Sequence, residues 1–168
     1  MRFVAIALVM ACLGAQAFDL DAWNAQRDLH MREVARLRTA YSNCLQRIEH
    51  PAEEVTVPVE TYTNGAVRLV VQARRAQFFL DSGLVWAENV VVRKFGPDGE
   101  LETRIDARSC VVDRFTKSGW AEGAARVMHG KTALGGRNVY FSSPESYVRV
   151  FDGAVLKTEG VRREEVKL

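Results

Sequence analysis

Two segments of the chain that lie 34 residues apart have nearly the same sequence. Residues 86–92 read WAENVVV and residues 120–126 read WAEGAAR, and Asp152-Gly153 repeats the acidic residue followed by Asn or Gly after another 30 residues. An apolar segment and a polar turn precede the first copy, at residues 77–80 (QFFL) and 81–83 (DSG). Repeats of roughly this period indicate stacked units in which each unit buries the apolar face of its neighbour. We therefore interpret the repeat as architectural, and not as a catalytic pair of Glu88 and Glu122.

Apolar and polar residues alternate along the chain after Pro51. The clearest examples are residues 67–74 (VRLVVQAR) and 101–108 (LETRIDAR). A period of two gives a β-strand one apolar face and one hydrated face. Turn sequences separate these segments, as in residues 96–99 (GPDG), where Pro presets the first corner and Gly99 can take a positive φ. Regular turns between short alternating segments predict antiparallel strands in an all-β sandwich, barrel or roll.

The segment before Pro51 has the period of a helix instead. Apolar residues recur there at spacings of three and four, at Val34, Leu37, Tyr41, Cys44 and Ile48. This spacing predicts a helix from Asp21 to about Ile48, and Pro51 disfavours a helical residue before it. We expect the helix to pack on its own domain. Docking onto a partner and pairing with a second copy are the alternatives.

The first 17 residues, MRFVAIALVMACLGAQA, are typical of a secretory signal peptide. One Arg precedes an apolar run, and residues 15–17 (AQA) supply the small residues that signal peptidase requires. An uncleaved membrane anchor and a lipoprotein modified at Cys12 are the alternatives, and each also places the chain outside the cytoplasm. The expected organisation is a signal peptide at 1–17, a helical segment at 18–50 and one β-domain at 51–168.

The residues that carry common chemistries are scattered along the chain. His30, His50 and His129 have no zinc-site spacing, and Cys44 and Cys110 form no CxxC motif. An exported chain permits a disulfide between these two cysteines, and two buried free thiols are the alternative. Lys and Arg number 23 against 21 Asp and Glu, a balance that gives no electrostatic case for nucleic acid. We expect no metal, no cofactor and no enzymatic activity.

Four successive segments follow the parts of one longer pattern in order: residues 107–113 (ARSCVVD), 119–124 (GWAEGA), 132–140 (TALGGRNVY) and 150–155 (VFDGAV). Together they resemble the repeated pattern of the OstA-like family of lipopolysaccharide-transport proteins, the LptA and LptC group. The resemblance covers roughly residues 65–160. It implies an OstA-like antiparallel β-jellyroll, an open roll whose apolar interior holds lipid acyl chains. It also implies that no catalytic residue is to be expected.

The same resemblance implies a set of partners. Members of the family stack edge to edge and bridge the periplasm from an inner-membrane ABC transporter of the LptB2FG type to the outer membrane. An open roll leaves unpaired strand edges, and strand addition from a neighbouring roll covers them. The expected function is therefore non-enzymatic lipopolysaccharide transport in the periplasm, with the transporter and other OstA-like rolls as partners.

Alternation alone places the candidate lipid-binding residues. The apolar residues that we expect in the interior are Phe78, Leu80, Trp86, Val90, Val92, Leu101 and Ile105. An ordinary packed core would have the same composition. The candidate contacts for head-group phosphates are Arg74, Arg75, Arg93 and Lys94, and solvated strand faces are the alternative for them.

Two rival functions come from other classes of protein. One is a periplasmic assembly adaptor that pairs its strand edges with partners around a self-filled core. The other is a carbohydrate-processing or carbohydrate-binding β-domain that uses exposed aromatic rings, with Trp86, Trp120 and Tyr147 as the candidates. An empty apolar trough would favour lipid transport over the adaptor, and rings aligned on an outer face would favour carbohydrate binding.

Overall fold

The computed structural model describes residues 20–158 and shows one helix followed by a single seven-stranded antiparallel sheet. The strands follow one another in the sheet in chain order. The elements are α1 (Leu20–Leu45), β1 (Ala52–Thr61), β2 (Val67–Phe79), β3 (Leu84–Phe95), β4 (Leu101–Asp113), β5 (Ser118–His129), β6 (Thr132–Ser142) and β7 (Tyr147–Thr158). The predicted fold, an open all-β roll of the jellyroll kind preceded by one helix, is confirmed. The predicted signal peptide lies outside the described residues.

The α1 helix packs on the sheet through four of the residues that predicted it, Val34, Leu37, Tyr41 and Cys44, and Ile48 joins the same cluster from beyond the helix. The helix ends at Leu45, before the predicted Ile48, and the chain turns there with a hydrogen bond from the Arg47 N–H to the Cys44 carbonyl. The first buried residue of the helix is His30. The helix therefore buries side chains on the sheet from His30 onwards, and residues 20–29 include no buried residue.

The interior of the roll is built from side chains that meet directly across the strands. In one row, called here the first inner row, each residue is the cross-strand partner of the next: Val57, Val71, Val92, Ile105, Val127, Leu134 and Leu156. A second inner row has smaller side chains: Ala52, Ala76, Ala87, Cys110, Ala121, Val139 and Val150. Cross-strand apolar pairs stabilise a sheet and hold its register, so these rows position all seven strands.

A line of kinks crosses the sheet between the two inner rows. On β3 both Ala87 and Val90 belong to the interior cluster although they are three residues apart, and Asn89 between them has a φ of 50°. Positive φ recurs at the matching positions of other strands: Glu54, Gly123, Asn138 and Gly153. Gly and Asn adopt this conformation most readily. The repeated acidic residue followed by Asn or Gly therefore marks the kink on β3, β5 and β7.

The kink also gives the repeated tryptophans their place. Trp86 and Trp120 come directly before the interior Ala87 and Ala121, so they point to the outer face, where α1 covers them. The Trp120 ring makes an edge contact with Phe151 at 5.3 Å between centroids. Each copy of the repeat thus places one large side chain under the helix, one small side chain in the interior, and one kink.

Polar contacts close the roll where β1 and β2 meet the turns between later strands. The buried Glu60 carboxylate accepts a hydrogen bond from the Ser143 hydroxyl at 2.6 Å and pairs with Arg68 at 3.2 Å and Lys117 at 3.5 Å. Within residues 20–158, however, β1 and β7 each pair with one neighbouring strand and not with each other. Both are edge strands, and the roll is open.

The two cysteines of the β-roll and its helix are free thiols on opposite faces of the sheet. Cys44 packs from α1 against the outer face, whereas Cys110 lies in the second inner row. The disulfide alternative is wrong, because the sheet separates the two sulfur atoms. Burial raises the pKa of the Cys110 thiol to about 12, which keeps it protonated and unreactive.

Candidate functional site

The inner face of the roll is the candidate site, and it brings together four of the predicted lipid-binding residues. Val90, Val92 and Ile105 are buried in its apolar cluster, and Phe78 packs against that cluster. Val92 and Ile105 are direct cross-strand partners in the first inner row. Apolar surface of this kind favours contact with acyl chains over contact with water. Whether this face can bind a lipid therefore depends on whether an acyl chain can reach it.

The other three predicted residues lie elsewhere, and their assignment to the interior is wrong. Trp86 is on the outer face under α1, because the kink at Asn89 reverses the parity on which the prediction relied. Leu80 follows the last residue of β2 and is 83% exposed in the turn that comes after it. Leu101 is the first residue of β4, at an uncovered end of the sheet, and is 47% exposed.

The interior of the roll is tightly packed, although its edge strands do not pair with each other. A cavity on the inner face, between Ile105 on β4 and Phe141 on β6, has a volume of about 30 Å³, which is room for little more than a water molecule. Two glycines permit the close packing: a Cβ at Gly119 would come within 2.3 Å of the Phe141 ring, and one at Gly136 within 2.4 Å of Val150. An acyl chain therefore enters this space only if side chains or strands move apart.

The first inner row becomes accessible towards β7. The exposed fraction along it is 1% at Val71, 5% at Val127 and 48% at Leu156. Val155, the neighbour of Leu156 on β7, is also exposed. The apolar row thus runs from the covered interior to an exposed strand edge.

The four basic residues predicted to bind head-group phosphates do not form one cluster. Arg75 and Arg93 hydrogen-bond to polar side chains of the adjacent strand on the outer face, and Arg74 is exposed on the line of kinks. Lys94 lines the inner cavity, where its Nζ donates to Glu102 at 2.8 Å and to the Ser146 hydroxyl at 2.7 Å. Of the four, Lys94 is the one positioned at the interior.

The polar contacts of Arg68 and Glu60 were not predicted from the sequence. Besides its pairing with Glu60, Arg68 donates from Nη2 to the Ser143 carbonyl at 3.4 Å. Its Nε is buried without a hydrogen-bond partner among the described residues. No local pattern could have identified this group, since Glu60 and Ser143 are 83 residues apart in the chain and meet only when the sheet rolls.

Charged side chains attach α1 to the outer face. Arg36 pairs with Glu33 at 2.6 Å and reaches Asp113 of β4 at 2.7 Å. The hydrogen bond from Arg36 holds the pKa of the Glu33 carboxyl below its ordinary value. Near the first buried turn, the His30 ring stacks on Tyr147 at 4.3 Å and its Nε2 contacts the Glu145 carboxylate. The covered part of the helix is thus fixed away from the interior.

No protein-family model matches this sequence, and no curated protein gives a significant match. In the part of the chain from 20 to 158, no group of His, Cys, Asp and Glu side chains could hold a metal ion. No helix of that same part is long and apolar enough to cross a membrane.

Proposed function

We propose that the protein is a non-enzymatic lipopolysaccharide-transport protein of the periplasm, an OstA-like roll that holds lipid acyl chains. The observation that carries the proposal is the first inner row, which is apolar at every position from Val57 on β1 to Leu156 on β7. A lipid needs continuous apolar surface, since burial of each methylene contributes about 0.8 kcal/mol. A row that crosses the whole sheet and emerges at an edge offers such a surface.

The free strand edges support the same function. β1 and β7 are the two edges of the sheet, and edge strands present unpaired backbone N–H and C=O groups. Strand addition from a neighbouring roll, or from the β-domain of an ABC transporter, would satisfy these groups and lengthen the apolar row. β7 is suited to this role because Val155 and Leu156 are exposed beyond its kink at Gly153.

Lys94 supplies a contact for the charged end of the lipid. Its ammonium lies at the mouth of the inner cavity beside Ser146. A phosphate there would form a charge-assisted hydrogen bond, which is stronger than the bond to a hydroxyl. We therefore assign head-group binding to Lys94 rather than to the three arginines considered with it. The periplasmic location rests on the signal peptide predicted at residues 1–17.

Lipid loading requires the roll to open. The turn at residues 143–146 would have to move away from β1 and β3, which separates Ser143 from Glu60 and Ser146 from Lys94. The tight packing of the interior favours a second candidate, an assembly adaptor that binds partners through β1 and β7 around a self-filled core. The two candidates differ in whether lipid reaches Ile105.

Binding of purified lipopolysaccharide to the purified protein separates them. Ile105→Asp places a carboxylate in the first inner row and should abolish binding. Leu156→Asp introduces the same charge at the exposed end of the row, where folding is not at risk, and should weaken binding several-fold. Arg104→Asp is the matched control, because Arg104 precedes Ile105 on the outer face, and it should bind as the wild type does. Lipid binding that all three variants retain, or that the wild type lacks, would favour the adaptor.

A further inference from the structure

We propose that two neighbouring turns of the roll form a contact surface for an anionic phospholipid bilayer. The turn between β2 and β3 carries Leu80, and the turn between β4 and β5 carries Arg114 and Phe115. Leu80 is 83% exposed and Phe115 is 75% exposed, more than any other large apolar side chain of residues 20–158. Neither side chain belongs to the inner face, and the surface that they form meets that face in the pocket below them, at Phe78.

The two turns are built as one unit. The Arg114 N–H donates to the Gly83 carbonyl at 3.1 Å, which joins one turn to the other. The Phe115 ring lies over Gly83, where a Cβ would come within 2.3 Å of it. The Asp113 carboxylate accepts hydrogen bonds from the backbone N–H groups of Phe115 at 2.7 Å and Thr116 at 3.2 Å. The exposed ring is therefore held in place before any partner binds, which lowers the entropy lost on binding.

An apolar pocket opens between the turns. Its volume is about 160 Å³, and its lining includes Phe78, Phe79 and Leu84 below the exposed Leu80 and Phe115. The two protruding side chains thus continue into an apolar floor. Together they form a patch into which part of an acyl chain fits while the side chains themselves enter the bilayer.

The charges around the patch match an anionic membrane. The Arg114 guanidinium also lines the pocket and makes no side-chain hydrogen bond or ion pair within the described residues. Lys117, on the same turn as Arg114, pairs with the buried Glu60 at 3.5 Å. The one acidic residue of the two turns, Asp81, is neutralised by Arg47 at 3.0 Å, so the positive charge that the patch offers to a membrane is that of Arg114. Apolar side chains that insert below the head groups, flanked by cations that meet the phosphates, are typical of interfacial binding. A protein partner would need two matched pockets for the protruding side chains, whereas a bilayer deforms around them.

Co-sedimentation of the exported chain with vesicles of phosphatidylcholine, with and without phosphatidylglycerol, tests the proposal. The wild type should sediment with the phosphatidylglycerol vesicles. A Leu80→Ser, Phe115→Ser double variant should bind them at least about tenfold more weakly, and Arg114→Ser should lose the preference for phosphatidylglycerol. Leu101→Ser is the matched control, since Leu101 is exposed at the opposite end of β4 and should leave binding unchanged.

The substituted side chains are exposed, so the variants should fold, and far-UV circular dichroism checks that they do. A wild type that does not sediment with the anionic vesicles overturns the proposal. So does a control variant that loses as much binding as the double variant, or a double variant that binds as well as the wild type. Lipopolysaccharide binding by the inner face should be the same in the double variant, so this test and that of the proposed function fail independently.

Discussion

The two tryptophans of the repeated segment occupy equivalent positions but differ in one hydrogen bond. Trp120 donates from Nε1 to the Glu122 carboxylate at 2.6 Å, whereas the Trp86 Nε1 is buried with no hydrogen-bond partner in the described part of the chain. Both residues are buried beneath α1. Replacing either with Phe removes a similar ring volume and leaves an aromatic ring that can keep the contacts of Trp120 with Phe151 and Arg38. The difference between the two variants therefore reports mainly the effect of the hydrogen bond.

Trp120→Phe should lower the free energy of unfolding by about 2 kcal/mol more than Trp86→Phe does. Loss of a hydrogen bond to a charged acceptor costs about 1.5–3 kcal/mol, although the half-buried Glu122 regains part of this from water. At Trp86 the change removes an unpaired buried N–H, which recovers about 1–3 kcal/mol and offsets the lost ring contacts. Urea unfolding followed by circular dichroism measures both variants. Equal losses, or a larger loss for Trp86→Phe, would refute the reasoning.

Three further outcomes follow from burial and charge. Leu37→Ala, at a fully buried site of α1, should lower the free energy of unfolding in urea by about 2–5 kcal/mol. Leu29→Ala, at a site 59% exposed on the same helix, should change it by less than about 0.5 kcal/mol, and similar losses would contradict the helix packing. Because Arg36 lowers the pKa of Glu33, the ionised carboxylate stabilises the fold above the ordinary pKa of 4.5, and this contribution is lost as pH falls through the lowered folded-state pKa. Glu33→Gln should therefore reduce the loss of stability in acid, and an unchanged pH profile of unfolding would exclude the ion pair as its source. Cys110, whose pKa is raised to about 12, should react with a thiol reagent only after unfolding, so rapid labelling of the native protein would show that the interior is open.

Periodicity in the sequence was enough to predict one helix followed by antiparallel strands, but not that β3, β5 and β7 each continue through the acidic residue and the Asn or Gly after it. Val34, Leu37 and Cys44 are spaced for one helix face, and together with His30 they are the buried residues of α1. The alternation around Ile105 predicted a strand with one inner face, and Ile105 lies on that face. Both predictions succeed because a repeating backbone geometry leaves a repeating pattern of burial.

The kinks explain where periodicity failed. In a regular strand Trp86 would lie on the same face as Val90, because the two residues are four positions apart. The positive φ of Asn89 interrupts this alternation, so Trp86 lies on the outer face while Val90 lies on the inner face. The acidic residue followed by Asn or Gly is visible in the sequence as a repeat, but the repeat alone does not show that the Asn or Gly takes a positive φ and bends the strand. The prediction for Leu80 was wrong for another reason. Alternation places a residue on one face only within a strand, and β2 ends at Phe79.

The remaining features depend on contacts between residues that are distant in the chain. Whether Cys44 and Cys110 could meet depended on which face of the sheet the helix covers. Whether the interior is open or filled depended on how far the sheet rolls, which brings Ser143 onto Glu60. Neither the closure angle of a sheet nor the close approach of strands at Gly119 follows from a pattern of apolar and polar residues.

Photo-crosslinking in living cells tests most directly whether lipid contacts the first inner row. A photoreactive amino acid would replace Ile105 inside the roll, Leu156 at its exposed edge, or Arg104 on the outer face as the control. Lipid transport predicts adducts with lipopolysaccharide at Ile105 and Leu156 and none at Arg104. Adducts with protein alone at Leu156, and none with lipid at Ile105, would contradict lipid transport and indicate an adaptor that works through its strand edges.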